Sequence, residues 1–100
     1  MILTAGAALA AALPPRSRVI LFGSHARGQA DGSSDLDLLV IEPEVQHAAA
    51  ESVRLRRVLR DIPAAIDVVV VSEELARRRA RVPGTMVDRA LSEGRVIAES

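Results

Sequence analysis

Three short apolar runs set the plan of the chain: Val19 to Phe22, Leu36 to Ile41, and Ile66 to Val71. Each is too short for a core helix, rich in β-branched or large aliphatic residues, and bounded by Gly, Pro, Ser or Asp, so each reads as a strand. Ahead of the first, residues 3–13 read as a helix on alanine content, with Leu3, Ala7, Ala10 and Leu13 as a weak apolar stripe. Pro14 and Pro15 end it. Arg18 to Phe22 is the first strand, and Gly23-Ser24 is its exit turn. A short helix is expected from about His25, and residues 29–34, with Gly32 and two serines, form a turn. In the second strand the period of two puts Leu36, Leu38 and Val40 on one face, and Asp35, Asp37, Leu39 and Ile41 on the other.

Pro43 suits the first turn of a helix running to about Arg60. Ala48, Leu55, Leu59 and Ile62 would line its inner face, flanked by Ala49, Ser52 and Val58; Glu44, His47, Glu51, Arg54 and Asp61 would line its outer face. The nearly continuous run of the third strand reads as a buried central strand. Ser72 then caps a short helix whose first turn carries Glu73 and Glu74 and whose end carries Arg77, Arg78, Arg79 and Arg81. After Pro83-Gly84, Thr85 to Asp88 resembles a capping box, opening a helix with Met86, Val87, Ala90 and Leu91 as its buried stripe. Gly94 stands where a C-cap glycine belongs, and residues 95–98 can add a last strand. Strands alternating with helices in this order predict an α/β (α+β) sheet flanked by helices.

Composition narrows the function classes. One hundred residues make one expected domain, residues 1–100, with room for one core and no separate substrate domain. The formal net charge is zero, which gives no whole-molecule attraction to nucleic acid. Phe22 is the sole aromatic residue, so binding of single strands by stacked bases is not expected. There is no cysteine, hence no disulfide and no thiolate metal site. The apolar N-terminal stretch lacks a basic flank and is too short to span a bilayer, so a cytoplasmic protein with no membrane association is expected. All 13 basic residues are arginine, which reads as compositional bias.

The candidate chemistry is acidic. Asp is disfavoured in strands, yet Asp35 and Asp37 share one strand face and Asp67 interrupts the third strand. If the second and third strands are neighbours, the three carboxylates converge, and a divalent cation would relieve their repulsion. Gly23 permits close approach of backbone to a ligand, and Ser24 can cap the helix behind it, a combination that suits a phosphate. Arg27 can contact a phosphate or pair with a carboxylate, and both roles stay open. His25 and His47 read as surface residues. The arginines at 77–81 read first as a solvated helix end favoured by the macrodipole, and second as a phosphate or acidic-partner surface.

The stretch Gly23-Ser24-His25-Ala26-Arg27-Gly28, five residues, then Ser34-Asp35-Leu36-Asp37-Leu38-Leu39-Val40 resembles the signature of the minimal nucleotidyltransferases of the DNA polymerase β superfamily. The tail, Gly84-Thr85, a helix, then Glu93-Gly94-Arg95-Val96, is similar to that family's end. The resemblance implies the nucleotidyltransferase fold, a small mixed β-sheet with flanking helices. It implies Asp35 and Asp37 as the paired ligands of two Mg²⁺ ions, with Asp67 as the third carboxylate. Gly23, Ser24, Arg27 and Ser34 would bind the nucleotide, expected to be ATP.

Relatives of this kind often act as antitoxins beside a HEPN-type toxin, and some transfer AMP onto a toxin tyrosine. The chain has no tyrosine, so such an acceptor would sit on another chain. The leading expectation is therefore a Mg²⁺-dependent adenylyltransferase that modifies a HEPN-type partner, in a possible homo- or hetero-oligomer. The alternative is an antitoxin that neutralises its partner by binding, with little or no catalysis. Small-molecule nucleotidyl transfer stands below both, and template-directed polymerisation lower still.

Overall fold

The structure is a computed structural model that describes residues 2–23 and 35–100. Among them the order is α1 (Ile2–Ala12), β1 (Arg18–Phe22), β2 (Leu36–Glu42), α2 (Ala48–Val58), β3 (Ile66–Ser72), α3 (Glu73–Arg79), α4 (Met86–Glu93) and β4 (Arg95–Glu99). The expected short helix near His25 and the turn over residues 29–34 lie outside the described residues. The four strands form one mixed sheet in the order β3-β2-β1-β4. β2 runs antiparallel to β1 and parallel to β3, and β4 closes the other edge antiparallel to β1. α1 and α2 cover one face; α3 and α4 cover the other. No helix among the described residues is long and apolar enough to cross a membrane.

The alternation of β2 divides the core in two. Leu36, Leu38 and Val40 join Leu9, Leu13, Leu55 and Leu59 under α1 and α2. Leu39 and Ile41 join Ile20, Phe22, Ala76, Val87 and Ala90 under α3 and α4. Both faces of the strand are therefore buried, as its seven-residue run of mostly apolar positions requires.

Several expectations are corrected. β3 is an edge strand, not a central one. Its apolar run reflects cover on both faces, Val68 and Val70 in one core and Val71 in the other, and face burial says nothing of how many strands lie alongside. α2 starts at Ala48, after Pro43, because Val45 packs onto the core and holds the intervening segment as a loop. Ala48 is exposed, and its expected inner place is taken by Ser52, whose hydroxyl donates to the Val68 carbonyl at 2.7 Å. In α1 the buried positions are Ala5, Gly6 and Leu9, while Leu3 is 83% exposed. An alanine-rich helix has too little amphipathic contrast for its sequence to set its rotation. In α4, Val87 and Ala90 are buried as expected, but Met86 and Leu91 flank that face and stay exposed.

The caps at Ser72 and Thr85 form as expected, accepting from the amides of Leu75 at 3.1 Å and Asp88 at 3.2 Å. Gly94 does end α4, but with extended backbone (φ −83°, ψ −179°), not in the left-handed C-cap conformation. Glycine is required there for room: a Cβ would lie 2.7 Å from the Leu21 carbonyl oxygen and 2.8 Å from Ile20 Cγ2. The α4–β4 junction is thereby seated directly on β1.

One buried carboxyl was not anticipated. Glu42, at the end of β2, is 4% exposed. Burial, reinforced by the neighbouring Glu51 carboxylate, pushes its pKa up to about 7. Glu51 is held well below the usual carboxylate range, first by its hydrogen bonds from Arg54. Arg54 Nη2 donates to Glu51 Oε2 at 2.8 Å and Nη1 to the Ala12 carbonyl at 3.1 Å. The chain Glu42, Glu51, Arg54, Ala12 thus ties β2 and α2 to the end of α1.

The fold holds Glu42 protonated where the unfolded chain, with an ordinary carboxyl, has released its proton. Stability from this group is therefore undiminished below pH ~4.5, falls as pH rises toward 7, and levels off above. Glu42→Gln should match the wild type near pH 4.5 and exceed it at pH 8 by at most about 3 kcal/mol, at roughly 1.4 kcal/mol per tenfold in proton affinity. Thermal melts of both proteins at the two pH values check this; a stability difference that is the same at both would refute it.

Candidate active site

The site lies at the start of β2, where three strands meet. Parallel pairing of β2 and β3 sets Asp37 directly beside Asp67, and antiparallel pairing with β1 sets Asp37 opposite Phe22. In a parallel ladder, partners in register share a face of the sheet. The register is secured locally by the bond from the Leu36 amide to the Ala65 carbonyl at 2.9 Å, just ahead of both aspartates. It is secured globally by the apolar partners that follow: Leu38 with Val68, Leu39 with Val69, Val40 with Val70.

Gly23 follows β1 and is buried, with φ +79°. A side chain would be strained at that φ, and a Cβ would run into the Asp37 carboxylate, its Oδ2 first and its Cγ at 3.4 Å. Two constraints thus meet on one residue. The Asp37 carboxylate rests against bare backbone, where a ligand and its charge can come close. Asp37 is half-buried, whereas Asp35, one residue before β2, and Asp67 are exposed.

The expected neighbour relation between the second and third strands is present, and it brings Asp37 and Asp67 together. Among the described residues, however, no three or more His, Asp or Glu side chains gather closely enough to hold a metal ion. Three like charges have no reason of their own to crowd together. Ser24, Arg27 and Ser34, the remaining predicted nucleotide contacts, lie outside the described residues, as does His25. His47 is exposed and precedes α2.

Clefts lie elsewhere among the described residues. One of about 610 Å³ is lined by Glu74, Arg77, Arg78 and Arg81, with Arg78 donating to Glu74 at 2.6 Å. Another of about 360 Å³ adjoins Glu42 and Glu51 at the far end of β2. Glu42 escaped the sequence reading, although the alternation that put Leu36, Leu38 and Val40 inside carries on to position 42 and could have flagged it.

Comparisons with known proteins bear on the family and the fold. The profile of the nucleotidyltransferase domain family matches residues 8–97. No curated protein matches the chain by sequence. Among solved structures, the fold is similar to that of a chain in the crystal structure of a toxin-antitoxin with AMP-PNP. There the TM-score is 0.65 at 18% identity, covering 94% of this chain and 69% of the other. It is also similar to a chain in the complex of tri-AMPylated Shewanella oneidensis HEPN toxin with MNT antitoxin. That match has a TM-score of 0.59 at 16% identity, covering 100% of this chain and 74% of the other. Identities this low establish a shared fold.

The contact at Gly23 makes a direct prediction. Gly23→Ala should lower nucleotide transfer at least tenfold by displacing the Asp37 carboxylate, and should cost roughly 1 kcal/mol or more through its positive φ. Kinetics together with a denaturant titration check both; unchanged turnover in the folded variant would mean that the Asp37 position does not matter.

Proposed function

Starting from the fact that the chain belongs to the nucleotidyltransferase domain family, we propose that it transfers AMP from ATP to a hydroxyl, expected to be a tyrosine, of a HEPN-type partner protein, and so acts as an antitoxin. The observation that carries the reading is the register of Asp37 beside Asp67, with Gly23 clearing space at the first.

The donor set suits magnesium: only hard carboxylate oxygens, on adjacent strands, beside a glycine that leaves room for a ligand. Asp35 and Asp37 would hold two Mg²⁺ ions, with Asp67 contributing to one of them. Bound there, the ions supply neutralisation of the triphosphate and a lowered pKa for the acceptor hydroxyl. Gly23 lets the phosphates approach the backbone, and Ser24, Arg27 and Ser34 are the proposed further contacts to them. Asp67, exposed at the sheet edge, would help bind one of the ions or take the proton as the acceptor oxygen attacks the α-phosphate and pyrophosphate departs.

The chain has no tyrosine of its own, so a tyrosine acceptor would lie on another chain. One feature supports a protein acceptor: the fold is shared with chains of complexes described as a toxin-antitoxin with AMP-PNP and as an AMPylated HEPN toxin with MNT antitoxin. The second reading, neutralisation by binding alone, predicts inhibition that survives loss of the carboxylates.

Incubation with α-labelled ATP, Mg²⁺ and the HEPN-type partner should label the partner. Asp35→Asn and Asp37→Asn should each reduce labelling by about a hundredfold or more while the melting temperature stays near that of the wild type. Full labelling by a folded Asp37→Asn protein would refute the site. No labelling by the wild type, with a stable complex formed, would favour the binding reading.

A further inference from the structure

The far end of β2 holds an acidic cleft that the proposed reaction does not use. Glu42 lies five residues from Asp37 along the strand, roughly 16 Å at the usual rise. It is 4% exposed, and among the described residues its Oε2 is the one buried side-chain oxygen or nitrogen without a hydrogen-bond partner. The cleft beside it, about 360 Å³, is lined by Glu42, Glu44, Gln46, His47, Glu51 and Arg54, among others. Three of these six are carboxylates. Arg54 already donates to Glu51 and to the Ala12 carbonyl.

We infer that this cleft binds an organic cation, a guanidinium or primary ammonium group, which donates hydrogen bonds to the Glu42 carboxylate. Acceptors dominate the lining, which disfavours anions. The volume exceeds that of a single water several times over. The chemistry has a precedent at the neighbouring carboxylate, where the Arg54 guanidinium holds Glu51 with two nitrogens. A cation entering the cleft gives Oε2 its missing partner and displaces the proton that burial keeps on Glu42.

That exchange makes the site testable by competition. The charged and titratable groups around Glu42 are Glu51 and Arg54 on α2, and Glu44 and His47 on the preceding loop. The pH comparison uses a His47→Gln background, which removes the imidazole from the cleft lining. The ¹⁵N-labelled full chain is titrated with N-acetylarginine amide and with spermidine at constant ionic strength. Tetramethylammonium, which carries charge but no donors, is the control.

At pH 8, saturable shifts are expected at backbone amides of residues 42–54. Affinity should fall about tenfold at pH 6, where Glu42 is mostly protonated. In Glu42→Gln, checked for folding by its melt, the shifts should vanish. Tighter binding of the arginine derivative assigns the cation to a side chain of a partner protein; tighter binding of spermidine assigns it to a free polyamine. Shifts no larger than those from tetramethylammonium, an affinity independent of pH, or full binding by folded Glu42→Gln would each overturn the proposal. The outcome does not depend on whether the Asp37 end catalyses nucleotide transfer.

Discussion

The register between β2 and β3 is the constraint on which the candidate site depends. Two carboxylates on neighbouring strands repel, and nothing in their own chemistry would bring them together. They are held adjacent because the residues behind them leave no alternative. Leu36, Leu38 and Val40 are committed to one core, Leu39 and Ile41 to the other. A slip of one residue would turn every one of these side chains to the opposite face and carry Asp37 with them. Packing on both faces of a strand thus maintains an electrostatically unfavourable pair, as active sites commonly require.

The two ends of β2 show how environment divides one residue type into different roles. At the start, Asp37 faces bare backbone at Gly23 and an exposed Asp67. At the end, Glu42 sits under α2, almost out of solvent, and keeps its proton near neutrality. The first arrangement keeps carboxylates within reach of solvent; the second takes one almost out of it. One rigid strand ties the two, while Arg54 carries the second end across to α1.

The arginines of the chain behave less uniformly than their number suggests. Arg18 crosses from β1 to hold Glu73 at the start of α3, with Nη2 3.0 Å from Oε1. Arg54 links α2 to the end of α1, and Arg78 makes an exposed pair with Glu74. Arg54 and Arg78 both stay exposed on their helices, as expected of a solvated face, and a fully exposed pair such as Arg78 with Glu74 contributes little.

Much of this was legible in the sequence. Short apolar runs located three of the strands, because strand length and side-chain alternation are local properties. Ser72 and Thr85 marked helix starts and Pro14-Pro15 a helix stop for the same reason, and the spacing of Asp35 and Asp37, with Asp67 in a later run, singled out the candidate carboxylates. What the sequence could not carry is whatever depends on a second element. It could not tell that β3 is an edge strand, since helices on both faces give the same apolar run as strands on both sides. It could not set the rotation of the alanine-rich α1, nor hold back the start of α2, which Val45 decides by reaching the core. It read Gly94 as a conformational cap, whereas the crowding of Leu21 and Ile20 makes it a matter of space. The residue types and their order belong to the sequence; the pairing of Asp37 with Asp67, the seat of Asp37 against Gly23 and the burial of Glu42 were decided only when the strands and helices packed together.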